Sequence, residues 1–440
     1  VRTRSTLWLI LLLAFGLRLL YGLSQDPLAA YENAGNDSWL YLQMGHNLMT
    51  GFDYSQVSLP TAPLYLIVIG TWQVMLPGAG AVIAIRITQA LMSTALCFFA
   101  YRLSYRISGS HSAGLIAAAV LAISPVFILE AAQVVTETLY IFLLTAGLWL
   151  YVELTAAQKA KWLLFALDGA LFGLATLTRA VLLLFPVGLA IHLFMVNGWR
   201  AALRRSLALL IAYVLVVSTW TIHNLVHWNR FVIAAEGFAA FLYIGATDWE
   251  GPSKVDENLA QDAGVEGQLP TDVGTQQELY RNATANVISR DPLGYVRHRV
   301  TDLLDAYLQP HGTLLFGGAG LKELVTDWLR TDRTLTGLVA VTQNPGFWPK
   351  LALYVFHYAG LALGLIGMWL TRRQWRLTLP LIDFIVYTSL MHLLLDAIPR
   401  YIFPTTVCWY IFAGVALWQM RLAVQPRKGD TQIAPTPNHV

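Results

Sequence analysis

Charge is scarce in this sequence of 440 residues: Asp, Glu, Lys and Arg make up 12% of it, while 56% is hydrophobic. A soluble domain carries roughly 25% charged residues. So few charges cannot wet the surface of a globule this long, which excludes the two or three soluble domains that length alone suggests. The hydrophobic content equally excludes intrinsic disorder. Cysteine is nearly absent. Cys97 and Cys408 both sit in apolar runs, so there is no disulfide framework, and each reads as a small buried side chain. The net charge of +3 is too small to imply a nucleic-acid partner. No repeat relates the two halves of the chain, which argues against a transporter built on inverted repeats. Long apolar runs are abundant, and they define an all-α polytopic membrane protein.

A helix spanning a bilayer needs about 20 mostly apolar residues. Eleven runs qualify: Leu7–Leu23, Ala62–Leu76, Val82–Tyr105, Ala113–Leu129, Val135–Leu154, Trp162–Leu177, Val181–Val196, Leu207–Ile222, Leu351–Leu370, Leu377–Leu395 and Ile402–Met420. Basic clusters flank them at Arg2/Arg4, Arg102/Arg106, Lys159/Lys161, Arg200/Arg204/Arg205, Arg372/Arg373/Arg376 and Arg421/Arg427/Lys428. Eleven spans would split the first two clusters between opposite faces. Removing one span between them puts all six on the same face, as the positive-inside rule requires. The run to remove is Ala62–Leu76, which is short and bounded by Pro60, Pro63 and Pro77-Gly78. The expectation is therefore about ten transmembrane helices with both ends cytoplasmic, Ala62–Leu76 lying at the outer surface, and Leu7–Leu23 an uncleaved anchor.

This topology divides the chain into an N-terminal membrane module (1–222) with a first outer loop (24–80), an extracytoplasmic segment (223–349), C-terminal membrane helices (350–420) and a short cytoplasmic tail (421–440). The 223–349 segment holds more than half of the acidic residues but under a third of the basic ones. Within it, Glu278–Ile288 and Tyr295–Tyr307 read as amphipathic helices. The second has Val296, Val300, Leu303, Leu304 and Tyr307 on one face and Arg297, Arg299, Asp302 and Asp305 around it.

Polar residues at the outer helix ends need a reason, because ionisable groups at membrane depth are costly and face a cavity or a partner. In the first outer loop, Asn36 or Asp37 caps a short helix ending at Gly51. Asp37 is then either a simple cap or a carboxylate held beside a lipid-borne substrate. Arg86, Glu130, Glu137, Arg179, Asp396 and Arg400 mark other outer turns. Arg179 and Arg400 stand out because the positive-inside rule disfavours arginine there. His223 and His227 stand four apart on a helix, but a metal site needs a third ligand, and none is in view.

Six short motifs follow one another along the chain. They are Asp37 with Tyr41, Leu48 and Gly51; Ala62-Pro63-Leu64-Tyr65; Thr136-Glu137-Thr138-Leu139-Tyr140; Leu177-Thr178-Arg179; Thr219-Trp220-Thr221-Ile222-His223-Asn224; and Pro399-Arg400-Tyr401-Ile402-Phe403-Pro404. In this order they resemble the GT-C superfamily of membrane glycosyltransferases, in the branch of dolichyl-phosphate-mannose–protein mannosyltransferases and bacterial aminoarabinose transferases. Three departures matter. Ser38 replaces an acidic residue, Pro60-Thr61 replaces the Glu-Lys of aminoarabinose transferases, and His223 replaces an arginine before Asn224. They argue against aminoarabinose specificity and leave a divalent metal open.

The resemblance implies a cell-envelope enzyme of the inner membrane that moves a sugar from a polyprenyl-phosphate donor to a lipid, glycan or protein acceptor on the extracytoplasmic face. The phosphate is a good leaving group, so one base and a cationic clamp suffice. Asp37 is the expected base, and inverting direct displacement follows from a single base opposite the leaving group. Arg86, Arg179 and Arg400 are the expected clamp, with Arg297 and Arg299 as further choices. Glu137, His223, Asn224 and Tyr401 complete the expected substrate-binding set. Three other readings compete: a lipid-linked oligosaccharide flippase or transporter, a polysaccharide polymerase or ligase, and a non-catalytic subunit of a glycan assembly system.

Overall fold

The computed structural model describes residues 2–32, 36–51, 61–157, 161–247, 252–264 and 273–424. Pro60, Lys159 and the tail after 424 lie outside this set. Among the described residues all regular structure is helical. Within these residues seven helices are long and apolar enough to cross a membrane, and four shorter apolar helices accompany them.

Helix α1 (Arg2–Ser24) runs from what we call the basic end to the site end. Beyond it come α2 (Ala29–Glu32), α3 (Asp37–Thr50) and α4 (Pro63–Met75), and then α5 (Ala79–Ser108) returns. Helices α6 (His111–Ile123) and α7 (Pro125–Glu130) climb again, α8 (Glu137–Ala156) descends, α9 (Trp162–Thr176) climbs, α10 (Phe185–Val196) descends and α11 (Trp199–Trp228) climbs. Helices α12 (Phe238–Ala246), α13 (Pro252–Ala263), α14 (Val273–Arg290), α15 (Pro292–Leu308), α16 (Leu321–Thr331) and α17 (Leu335–Thr342) follow α11. The chain then descends in α18 (Phe347–Leu370), climbs in α19 (Trp375–Leu394), turns through α20 (Pro399–Ile402) and descends in α21 (Thr406–Val424). Counting α6 and α7 as one pass, the path traverses the bundle ten times.

Both ends of α4 lie at the site end. The Leu64 N–H donates to the Leu177 carbonyl at 2.9 Å, where α9 finishes. At the other end, Gly78 accepts from the Tyr31 hydroxyl at 3.5 Å, just before α5 starts. A helix whose two ends meet the same end of the bundle does not cross it, as the charge pattern required. Helices α3 and α4 pack through Gly45 and Gly70, where a Cβ on Gly70 would collide with the Gly45 carbonyl and one on Gly45 with the Ile69 side chain. That close approach fixes α3 over the bundle. Gly51 closes α3 in the left-handed conformation at φ 77°, which glycine adopts without a Cβ penalty.

Buried arginines brace the broken helices. Pro125 has no N–H for the Leu121 carbonyl, so α6 ends with unsatisfied acceptors. Arg18 meets that demand, donating to Leu121 at 3.0 Å, Ala122 at 2.9 Å and the Ser93 hydroxyl at 2.7 Å. Arg299 does the same for the end of α19, donating to the carbonyls of His392 at 2.9 Å and Leu393 at 3.2 Å and to Gly245 at 2.6 Å. The apolar residues of α15 therefore divide between two environments. Val296, Val300 and Leu304 are exposed, whereas Arg299 is buried and Leu303 and Tyr307 pack onto Ala306, Ala397 and Ile402. Carbonyls at a helix end need donors more than α15 needs a purely apolar inner face.

Single cysteines introduced at Thr61 and Leu76 should therefore be labelled by a membrane-impermeant thiol reagent from the same side. The two native cysteines are buried and should stay silent. Labelling of the two positions from opposite sides would contradict the lying arrangement of α4.

Candidate active site

Glu137 is the first residue of α8, at a helix N-terminus, where a carboxylate is favoured by the helix dipole. Its side chain is wholly buried, and it receives two arginines. Arg179, from the turn after α9, reaches Oε1 through Nη1 at 2.5 Å. Arg400, at the start of α20 behind Pro399, pairs through Nε with Oε1 and through Nη2 with Oε2 at 3.2 Å. The remaining Arg400 amine, Nη1, pairs with Asp37. Thus two carboxylates and two guanidiniums form one neutral cluster built from four separate segments.

Asp37 is not the cap of α3. Asn36 is the N-cap, and its Oδ1 accepts from the Trp39 N–H at 2.8 Å. Asp37 follows as the first helical residue, so its carboxylate is free to face Arg400. It is the open edge of the cluster, with its side chain 51% exposed against 0% for Glu137.

Aromatic rings wall the cluster. The Arg179 guanidinium lies 5.4 Å from the Tyr401 ring centroid and 5.9 Å from Tyr140. Tyr401 stacks on His392 at 5.1 Å. Tyr41 meets Tyr65 edge-on at 5.6 Å. Burial is the strongest influence on Arg179 and works against its charge, but Glu137 together with Tyr41 and Tyr401 holds it above its ordinary pKa. Burial, then Glu137, pushes the Tyr41 hydroxyl up from its usual value, so it stays neutral.

Of the residues expected from the sequence, Asp37, Glu137, Arg179, Arg400 and Tyr401 come together. Arg86 does not. It donates to the carbonyls of Gly22 at 3.2 Å, Gln25 at 2.7 Å, Asp26 at 3.2 Å and Ala132 at 3.1 Å, and so ties α1, α5 and the 131–136 turn together. Asn224 is buried at the end of α11, donating to the Val232 carbonyl at 3.2 Å. His223 stacks on Trp220 at 4.7 Å and lies 4.5 Å from His227. Arg297 is exposed on α15, and Arg299 is the brace described above. Asp396, a natural rival partner for Arg400, instead engages His392 through its own carbonyl at 2.8 Å.

The sequence did not signal one neighbouring pair. Glu130 Oε2 meets His311 Nε2 at 2.9 Å, bridging α7 to the turn beyond α15. No spacing rule links residues so far apart. As for a metal, no group of three or more His, Cys, Asp or Glu gathers among the described residues. The two carboxylates of the cluster are joined by the Arg400 guanidinium instead.

Glu137→Gln keeps the volume but removes the charge that holds two arginines. Breaking a buried ion pair from one side costs about 3–5 kcal/mol. The variant should show a clearly lowered unfolding temperature in detergent, and an unchanged melting curve would contradict the anchoring role.

Residues 37–223 match a family described as dolichyl-phosphate-mannose-protein mannosyltransferase. The match begins at Asp37 and includes Glu137 and Arg179, while Arg400 lies beyond it. None of the curated proteins matches the sequence. Among solved structures, the apo oligosaccharyltransferase of Archaeoglobus fulgidus is similar with a TM-score of 0.55 at 13% identity, over 96% of this chain and 51% of that one. The same enzyme tethered to an acceptor peptide containing the NVT sequon gives 0.51 at 14%, over 96% and 50%. Apo ArnT from Cupriavidus metallidurans gives 0.41 at 13%, over 94% and 78%. The chain spans about half the length of the archaeal oligosaccharyltransferase. The family match covers residues 37–223, under half of the chain, and at 13–14% identity the archaeal oligosaccharyltransferase shares the fold of this chain.

Proposed function

We propose that this chain transfers a sugar from a polyprenyl-phosphate donor to a nucleophilic acceptor, on the membrane face where the Glu137 cluster lies. The positive-inside rule makes that face extracytoplasmic. The observation that carries the reading is the exposed Asp37 carboxylate beside Arg400 and Arg179. A base and a cationic clamp stand together there, on elements anchored to the buried Glu137.

In this mechanism the donor phosphate seats against Arg400 and Arg179, whose planar forks suit phosphate oxygens. Each of the three nitrogens of Arg400 binds a carboxylate oxygen in the free protein. A phosphate that takes a whole fork of Arg400 displaces one partner, and the exposed Asp37 is easier to displace than the buried Glu137. Donor binding thus frees the Asp37 carboxylate. The acceptor attacks the anomeric carbon from the face opposite the phosphate and gives its proton to Asp37. The bond between anomeric carbon and phosphate oxygen breaks, its electron pair leaves with the polyprenyl phosphate, and the configuration inverts. General base catalysis of this kind contributes roughly 10²–10⁴-fold. A peptide acceptor is one chemistry the site could serve, as in the archaeal enzyme solved with a tethered acceptor peptide.

The test uses purified protein in liposomes with a polyprenyl-phosphate sugar. Asp37→Asn should lower transfer by about 10²-fold or more while donor binding is kept or tightened, because Arg400 loses a competing carboxylate. Arg400→Ala should weaken donor binding, with Arg400→Lys recovering part of it as a point charge. Full transfer by Asp37→Asn would overturn the base assignment.

A further inference from the structure

A cavity of about 650 Å³ opens at the basic end, far from the Glu137 cluster. It lies where α8 and α10 finish and α11 and α19 begin. Arg205, Arg373, Arg376, Asn197, Val196 and Leu377 are among its lining residues. Arg205 is buried and held in place, with Nη1 on the Asn197 side-chain oxygen and its guanidinium 5.4 Å from the Phe165 ring centroid. Arg373 and Arg376 are exposed on the turn into α19.

Among the described residues these three cations have no ion-pair partner, and the acid on the neighbouring stretch of α8, Glu153, is taken by Arg102 at 2.5 Å and Arg106 at 3.4 Å. Two helix N-termini open on the same cavity. Helix α11 begins behind Gly198 and α19 behind Gln374, and neither has a side-chain cap. Uncapped N–H groups at the start of α11 and the positive ends of two helix dipoles, the α19 one beginning with the 3-10 turn Arg372–Gln374, add to three arginines. An anion answers all of these at once, and a phosphate group matches both the guanidinium forks and the uncapped amides.

Depth decides which phosphate. Trp162, Trp199, Trp369 and Trp375 all stand exposed at this end, at the start or finish of α9, α11, α18 and α19. Exposed tryptophans of this kind sit at the headgroup level of a bilayer. The cavity is therefore level with lipid headgroups, and Val196 and Leu377 give its wall an apolar part. We infer that this cavity is a binding site for the phosphate headgroup of an anionic phospholipid, separate from the sugar-transfer site. A basic pocket between membrane helices holds such headgroups by the same charge logic.

The test is phosphatidylglycerol binding to the full-length protein in phosphatidylcholine nanodiscs, read by native mass spectrometry. The variants are Arg373→Gln/Arg376→Gln and the control Arg372→Gln, whose guanidinium turns back to the Trp369 carbonyl at 2.8 Å and stacks on its ring. The double variant should bind phosphatidylglycerol roughly 10–30-fold more weakly, and Arg372→Gln should match the wild type. If the double variant misfolds, Arg373→Gln alone should weaken binding roughly fivefold. Unchanged lipid binding in these variants overturns the site. An equal loss in Arg372→Gln overturns it in favour of general surface charge. Displacement of phosphatidylglycerol by millimolar inorganic phosphate assigns the cavity to the free anion and overturns the lipid.

Discussion

The Glu137 carboxylate, wholly buried and held by two arginines, is the interaction on which the site depends. A lone carboxylate at that depth would be neutralised or excluded, and a lone arginine likewise. Together they are stable, and they connect segments far apart in sequence: the start of α8, the turn after α9 and the short α20. Each of those segments is a break in a helix, held where the chain reverses. The arginines therefore point to one place because one buried charge requires both. Arg400 has a third edge left over, and Asp37 takes it.

That third edge explains the elaborate first loop. Asp37 must approach Arg400 from above the bundle, so α3 has to be fixed there without crossing the membrane. Helix α4 supplies the platform, tied at Leu64 to the end of α9 and packed on α3 through two glycines. Asn36 takes the capping role and leaves the Asp37 carboxylate unused by its own helix. Buried arginines at other breaks, Arg18 and Arg299, satisfy orphaned carbonyls and keep those breaks rigid. The same residue type thus does two jobs in this molecule. Where it meets carbonyls it braces a broken helix end, and where it meets carboxylates it gathers separate segments around one buried charge.

The sequence by itself determined the class and path of the chain. Sparse charge and long apolar runs dictate a helical membrane bundle, and the one-sided basic clusters dictate that Ala62–Leu76 lies flat. It also marked Asp37, Glu137, Arg179 and Arg400, because charge at an outer helix end is costly and their motifs resemble those of a known superfamily. Sequence could not separate these from Arg86, which carries the same charge at a similar depth. Only the tertiary structure shows that Arg86 faces four carbonyls while Arg400 faces two carboxylates. It alone decided between Asn36 and Asp37 as the cap, buried Arg299 under α15, and joined Glu130 to His311. The physical reason is common to all of these. Hydropathy and charge act along the chain and can be read from it, whereas a hydrogen-bond partner is set by which broken helix ends the packing brings within 3 Å of each other.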